Sequence, residues 1–308
     1  MPVDLLKSSL EATNILILSQ DETVRHLFEN AGFRHIQMVR QDLEKAERAM
    51  SASECDIVIV DDIFANIDII SFITKVRNSE YGENFCLPVV VLISDVKDNL
   101  ARDFINAGVD DVVLKPLSVN DVNKRMKALL ARELLYVVLP DYIGPNRRSA
   151  ERTNPKKDNL VAVPNALKMK AEGYLKTSEQ IEELMSEANK KINSKSAVLD
   201  GEIIQQLIKD AISKPKEFEA TVRRLRPLVR SFAKKMAQTE HEHISDLCIL
   251  LNDIVGLMGG GDDTENIEIL TLVGQALHLS FEEDKKSMDT AAEIISLIKS
   301  RIGTLSET

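Results

Sequence analysis

The sequence predicts an α/β doubly wound, five-stranded parallel sheet followed by an all-α helical bundle, and three observations carry that prediction. From Asn14 to about Arg132, short apolar runs alternate with helical patterns. Two of the runs, at 57 to 60 and 89 to 93, are apolar throughout, as central strands buried on both faces should be. From Thr177 onward the apolar residues recur every three or four positions, the period of helices that pack along a seam.

The runs NILIL, HIQMV, CDIVIV, LPVVVLI and DDVVL read as strands, and TVRHLFENAG, DLEKAERAM, IDIISFITKVR, KDNLARDFINAG and VNDVNKRMKALLARELL as the helices that follow them. Strand and helix in strict alternation imply right-handed crossovers onto a parallel sheet covered on both sides. The functional edge of such a sheet lies at the carboxyl ends of its strands.

Three segments follow from the change of pattern: residues 1–135, 136–176 and 177–308. The stretch LPDYIGPNRRSAERTNPKKDNLVAVPNALKMKAEG carries four prolines, two glycines and a mostly basic charge set without sustained periodicity, so it reads as a connector. In the last segment Thr177 with Gln180 fits a capping box. Ile181, Met185, Ala188 and Ile192 begin a seam, and Ile203, Leu207 and Ala211 belong to a second helix. Phe218 to Met236, Ile244 to Met258, Ile267 to Leu277 and Met288 to Ile302 supply the rest, about six helices in all, the fourth closed by GGGDD. Pro227 inside the third predicts a kink or break. The stripe of Met288, Ala291, Ile295, Ile298 and Ile302 either caps the bundle or meets its twin in a homodimer.

Charge and cysteine usage narrow the classes. A formal net charge of −10 opposes general attraction to phosphate backbones, so nucleic acid is not the expected partner. No stretch reaches the roughly 18 uninterrupted apolar residues of a membrane span, and MPVDLLKSSLEATN has no signal-peptide pattern, so no membrane insertion and a cytoplasmic location are expected. Cys55, Cys86 and Cys248 are far apart and form no CxxC pair, which predicts small buried thiols. Nothing points to an independent metabolic enzyme.

The strand ends carry a more specific signal. CDIVIVDD places Asp61 at the end of the third strand, and INAGVDDVVLKPLS ends the fifth at Lys115-Pro116. Together these resemble the flavodoxin-like receiver domain of bacterial two-component response regulators, over about residues 12 to 132. The resemblance implies that Asp61 is the phosphoacceptor, served by a histidine kinase or phosphotransfer protein. It implies that Lys115 pairs with the phosphoryl group and that a cis Pro116 aims the lysine inward. A lysine is suited to this role, since a carboxylate attacking phosphorus needs the charge of its product neutralised.

Other positions depart from the family pattern. Two acidic residues that hold magnesium in the family correspond to Ser19 and Gln20, which are neutral; Asp21 and Glu22 lie just beyond. A hard divalent ion prefers carboxylate oxygen, so weak magnesium binding through Asp61 is the most to expect. Ile93 stands where the family has a hydroxyl that contacts the phosphoryl group, and Val112 where it has a rotating aromatic. Ser94 comes one residue too late and should point the other way. The expected function is therefore a signalling adaptor with a degenerate receiver and a helical output domain that contacts other signalling proteins. Two alternatives are a regulator phosphorylated at Asp61 and a transcription regulator using the basic stripe Arg223, Arg226, Arg230 and Lys234. The HEH at 241 to 243 has neither the HExxH spacing nor the neighbours of a phosphotransfer histidine, and GPNRRS faintly resembles GPDRR linkers of other receiver proteins.

Overall fold

The computed structural model describes residues 7, 10–51, 55–64, 67–78, 80–81, 84–95, 99–140, 142–146, 159–171, 178–214, 217–237, 242–257, 264–281 and 285–305. The chain divides into two compact units, residues 1–189 and 190–308.

In the first unit β1 (Asn14–Leu18), β2 (His35–Val39), β3 (Ile57–Asp61), β4 (Val89–Ile93) and β5 (Asp111–Leu114) form one parallel sheet in the order β2-β1-β3-β4-β5. They are connected by α1 (Glu22–Ala31), α2 (Leu43–Ser51), α3 (Ile69–Arg77) and α4 (Leu100–Ala107), and α5 (Val119–Ala131) follows. Side-chain alternation splits the core in two. Ile15, Ile17, Ile57, Ile59, Val90, Leu92 and Val113 pack with α1 and α5 on one face. Leu16, Leu18, Val58, Val60, Val89 and Val91 pack with α2, α3 and α4 on the other. Ser19, Asp61 and Lys115 continue the parity of the first set, so the sheet brings one residue from each of three strand ends toward the same place. Side-chain caps fix the starts of these helices: Asp21 on α1, Asp42 on α2, Asp68 on α3, and Ser118 with Asp121 as a capping box on α5.

The described residues of the segment expected to be a connector, 136–140, 142–146 and 159–171, are folded. α5 stops at Ala131, Arg132 is extended, and β6 (Leu134–Leu139) lies between β7 (Tyr142–Pro145) and β8 (Leu160–Val163) in an antiparallel sheet, with a short α6 (Ala166–Ala171) after it. This extension is docked along the amino-terminal edge of the parallel sheet. Asn165 Nδ2 donates to the carbonyls of Leu129 and Arg132, capping the end of α5, and Leu167 is buried with the α1 and α5 core. Lys170 Nζ lies 2.7 Å from Asp56 Oδ1. Arg77 at the end of α3 is 2% exposed and binds Asp110 and three backbone carbonyls, with the Tyr136 ring of β6 beside its guanidinium.

Gly108 permits the hairpin to approach. It ends α4 at φ 101°, and a Cβ there would stand 3.0 Å from the Ile143 carbonyl oxygen and 3.2 Å from Arg77 Cγ. Gly108→Ala should therefore destabilise the first unit by about 1–3 kcal/mol. Urea unfolding followed by tyrosine fluorescence checks this, and an unchanged midpoint would reject the docked geometry.

The helical half differs from the expected six helices. Its first two seams are one helix, α7 (Ser178–Ser213), within which the division between the units falls. α8 (Phe218–Met236), α9 (Glu242–Leu257), α10 (Thr264–Ser280) and α11 (Lys285–Leu305) follow, each packed on the next and α11 also on α9. Among the described residues, then, five helices occupy this half. α8 runs through Pro227 without interruption, the proline standing on its exposed face. Leu225, Val229, Phe232, Ile244, Leu251, Leu270 and Leu277 form the core. Asn193, Ser196 and Asp200 keep the seam spacing of α7 with polar side chains, and Lys235 of α8 reaches Ser196 Oγ at 2.8 Å and Asp200 Oδ2 at 2.7 Å. Ala291, Ile295 and Ile298 of α11 are buried, Ile295 and Ile298 in that same core, whereas Met288 is exposed. The Thr177 box, GGGDD, Met258 and the side chains of Ile181, His241, His243 and Ile302 lie outside the described residues. Among the described residues no helix is long and apolar enough to cross a membrane.

Candidate functional site

Asp61 is the last residue of β3 and fully buried. Lys115 Nζ donates to its Oδ1 at 2.7 Å, and the Ile63 N–H approaches the same oxygen at 3.4 Å. Ser19 Oγ donates to Oδ2 at 2.9 Å. Ser19 is itself fully buried, and its Oγ accepts the Asp21 N–H at 3.1 Å, which fixes the hydroxyl between the loop and the carboxylate. The Lys115-Pro116 peptide bond is cis. The structure thus brings Ser19, Asp61 and Lys115 together, as three strand ends of one parity should.

The other residues singled out in the sequence lie apart from this contact. Gln20 is exposed. Asp21 caps α1 by accepting the Thr23 N–H at 2.8 Å, and hydrogen bonding from Thr23, through its side chain first and its N–H second, holds the Asp21 carboxyl below the usual carboxylate range. Glu22 pairs with Arg40. Both acids that might have replaced the missing pair are therefore occupied elsewhere. Ile93 is buried in the α2, α3 and α4 core, and Val112 is half-buried against the same cluster.

Sequence reasoning missed one pair at this edge. The Asp62 carboxylate accepts the Ser94 N–H at 2.7 Å and Ser94 Oγ at 2.9 Å, joining the end of β3 to that of β4. Lys115 Nζ stands 3.7 Å from Asp62 Oδ1, so one ammonium lies between two carboxylates. The signal was present in the doubled aspartate of CDIVIVDD, together with a serine one residue past the expected hydroxyl position.

This donor set is poorly matched to a hard divalent ion. Such an ion takes several oxygen ligands, preferably charged. Here Asp61 offers oxygens that already accept from Lys115 and Ser19, the Asp62 carboxylate is held by Ser94, and the residue facing Asp61 from the end of β1 is a neutral hydroxyl. Among the described residues no group of three His, Cys, Asp or Glu side chains is arranged to hold a metal.

No protein-family model and no curated protein matches the chain. Solved structures do match its amino-terminal part. A putative response regulator from Chloroflexus aurantiacus is 23% identical, with 39% of this chain and 98% of that one covered and a TM-score of 0.34. An orphan response regulator of H. pylori is 20% identical, with 38% and 95% covered and a TM-score of 0.32. The signal receiver domain of a histidine kinase from Syntrophus aciditrophicus is 21% identical, with 38% and 89% covered and a TM-score of 0.33. Independently of these values, the β2-β1-β3-β4-β5 order, the alternating helices and the Asp61–Lys115 contact at the carboxyl edge give the amino-terminal part of this chain the receiver fold.

Proposed function

We propose that this protein is a cytoplasmic two-component signalling adaptor whose degenerate receiver acts as a fixed protein-interaction module, with the helical bundle contacting other signalling proteins. One observation carries the reading: the Asp61 carboxylate is already satisfied by the chain itself, with Lys115 on Oδ1 and the buried Ser19 hydroxyl on Oδ2. Phosphorylation at Asp61 would require the Ser19 contact to be broken and charge to be added where, among the described residues, no second cation stands. The relay beyond it is also missing, because Ile93 has no hydroxyl to draw toward a phosphoryl group and Val112 no ring to move. Magnesium binding at this edge is expected to be weak. The burial of Ile295 and Ile298 in the bundle's own core argues against a homodimer through that seam.

The retained Asp61–Lys115 contact at 2.7 Å favours a second reading, a response regulator phosphorylated at Asp61. Incubation with acetyl phosphate and magnesium, followed by intact mass measurement, separates the two. The adaptor reading expects no added phosphoryl group. Stoichiometric labelling that disappears in Asp61→Asn would replace it with the second.

A further inference from the structure

We propose that the exposed face of α8 is a docking surface for an acidic, helical segment of a protein partner. Arg223, Arg224, Arg226, Arg230 and Lys234 are all exposed, while the sixth cation of that helix, Lys235, is buried against Asp200. Arg223, Arg226, Arg230 and Lys234 follow one another by three, four and four residues, a line about 16 Å long at the rise of an α-helix. Arg226 also donates from Nε to the Val255 carbonyl at the end of α9, which anchors the middle of the line. Among the described residues no ion pair engages Arg223, Arg224 or Arg230. Glu219 is the one acidic residue of α8.

The concentration of charge is unusual for its surroundings. Residues 177–308 carry 23 acidic and 16 basic side chains, and six of those 16 lie on this helix. A polyanionic duplex would meet the repulsion of the whole negative unit. The two aromatics of α8, Phe218 and Phe232, pack with the core, which leaves none on the exposed face to stack on bases. A short acidic helix meets the favourable line alone. Carboxylates repeating every three or four residues match its pitch, and forked guanidinium groups take them in pairs. The proposal rests on the adaptor reading in expecting a protein partner. Its assay uses no phosphodonor, so labelling of Asp61 and failure of docking are separate results.

The test uses full-length protein and a fluorescein-labelled peptide of repeating Glu-Ala-Ala-Ala, about twenty residues long so that it is substantially helical. Fluorescence anisotropy at low salt should show saturable binding that weakens as salt is added. Arg223→Glu, Arg224→Glu and Arg230→Glu together should weaken it at least about tenfold, and the corresponding three Arg→Gln changes by a smaller factor. Reversing three exposed lysines off α8, Lys209→Glu, Lys286→Glu and Lys299→Glu, should leave most of the affinity. Absence of saturable binding, an equal loss in the lysine variant, or tighter binding of a labelled DNA duplex than of the peptide would overturn the proposal.

Discussion

Arg77→Met should lower the stability of the first unit by about 3–5 kcal/mol, the usual cost of leaving one member of a buried ion pair behind. Arg77 Nη2 donates to Asp110 Oδ2 at 2.8 Å, and the guanidinium also satisfies the carbonyls of Phe85, Leu87 and Gly108 at 2.6 to 2.8 Å. Methionine supplies volume but no donor. Asp110 would keep only the Val89 N–H at 2.9 Å, with Arg132 4.0 Å from its other oxygen. The measurement is selective: the chain has no tryptophan, and its four tyrosines, at 81, 136, 142 and 174, all lie in residues 1–189. Tyrosine fluorescence during urea unfolding therefore follows that unit. A loss below about 1 kcal/mol would mean that the arginine contributes little beyond filling space.

Arg77 also shows why part of the fold was hidden in the sequence. The five parallel strands were legible because their central members are uninterrupted apolar runs, a pattern that few other structures produce. The docked sheet gave a weaker signal. LLYVVL follows α5 after only Arg132 and Glu133, so its first residues continue the helical pattern, and Pro140, Gly144 and Pro145 then read as punctuation. The Tyr136–Val138 run, rich in residues that favour strands, was the available clue. In the helical half, one predicted apolar seam ends at Ile192 and the next begins at Ile203, with Asn193, Ser196 and Asp200 between them. They are the same seam carried on by polar side chains, which became interpretable only once Lys235 stood opposite them.

The site was legible to the extent that strand parity determines it. Asp61 and Lys115 were named from their strand ends and Ser19 from the family resemblance, and the three meet. The roles of Asp21 and Asp62 were not legible, since each depends on a partner chosen locally: the Thr23 amide takes Asp21 into a helix cap, and Ser94 takes Asp62 across to β4. A spacing pattern identifies which residues arrive at an edge but leaves open which neighbour claims each carboxylate.

Restoring the two missing acids, Ser19→Asp with Gln20→Asp, should turn a site expected to bind magnesium only weakly into one that depends on it. In the natural chain the Ser19 hydroxyl lies 2.9 Å from Asp61 Oδ2 as a donor. An aspartate at position 19 places a second anion against that buried oxygen, a repulsion of several kcal/mol at about 3 Å that the single Lys115 ammonium offsets only in part. In chelator the double variant should therefore unfold more readily than the natural protein. Magnesium should reverse the deficit, since the carboxylates that repel one another are the oxygen ligands the ion prefers. At a concentration a hundredfold above its dissociation constant the ion adds about 2.7 kcal/mol. For a unit of this size that corresponds to a rise of roughly 5–10 °C in the tyrosine-monitored melting temperature. Calorimetric titration should give a sub-millimolar dissociation constant for the variant and weaker than millimolar binding for the natural chain. Equal magnesium shifts in the two proteins would show that Ser19 never excluded the metal, and with that the argument for a fixed receiver would fail.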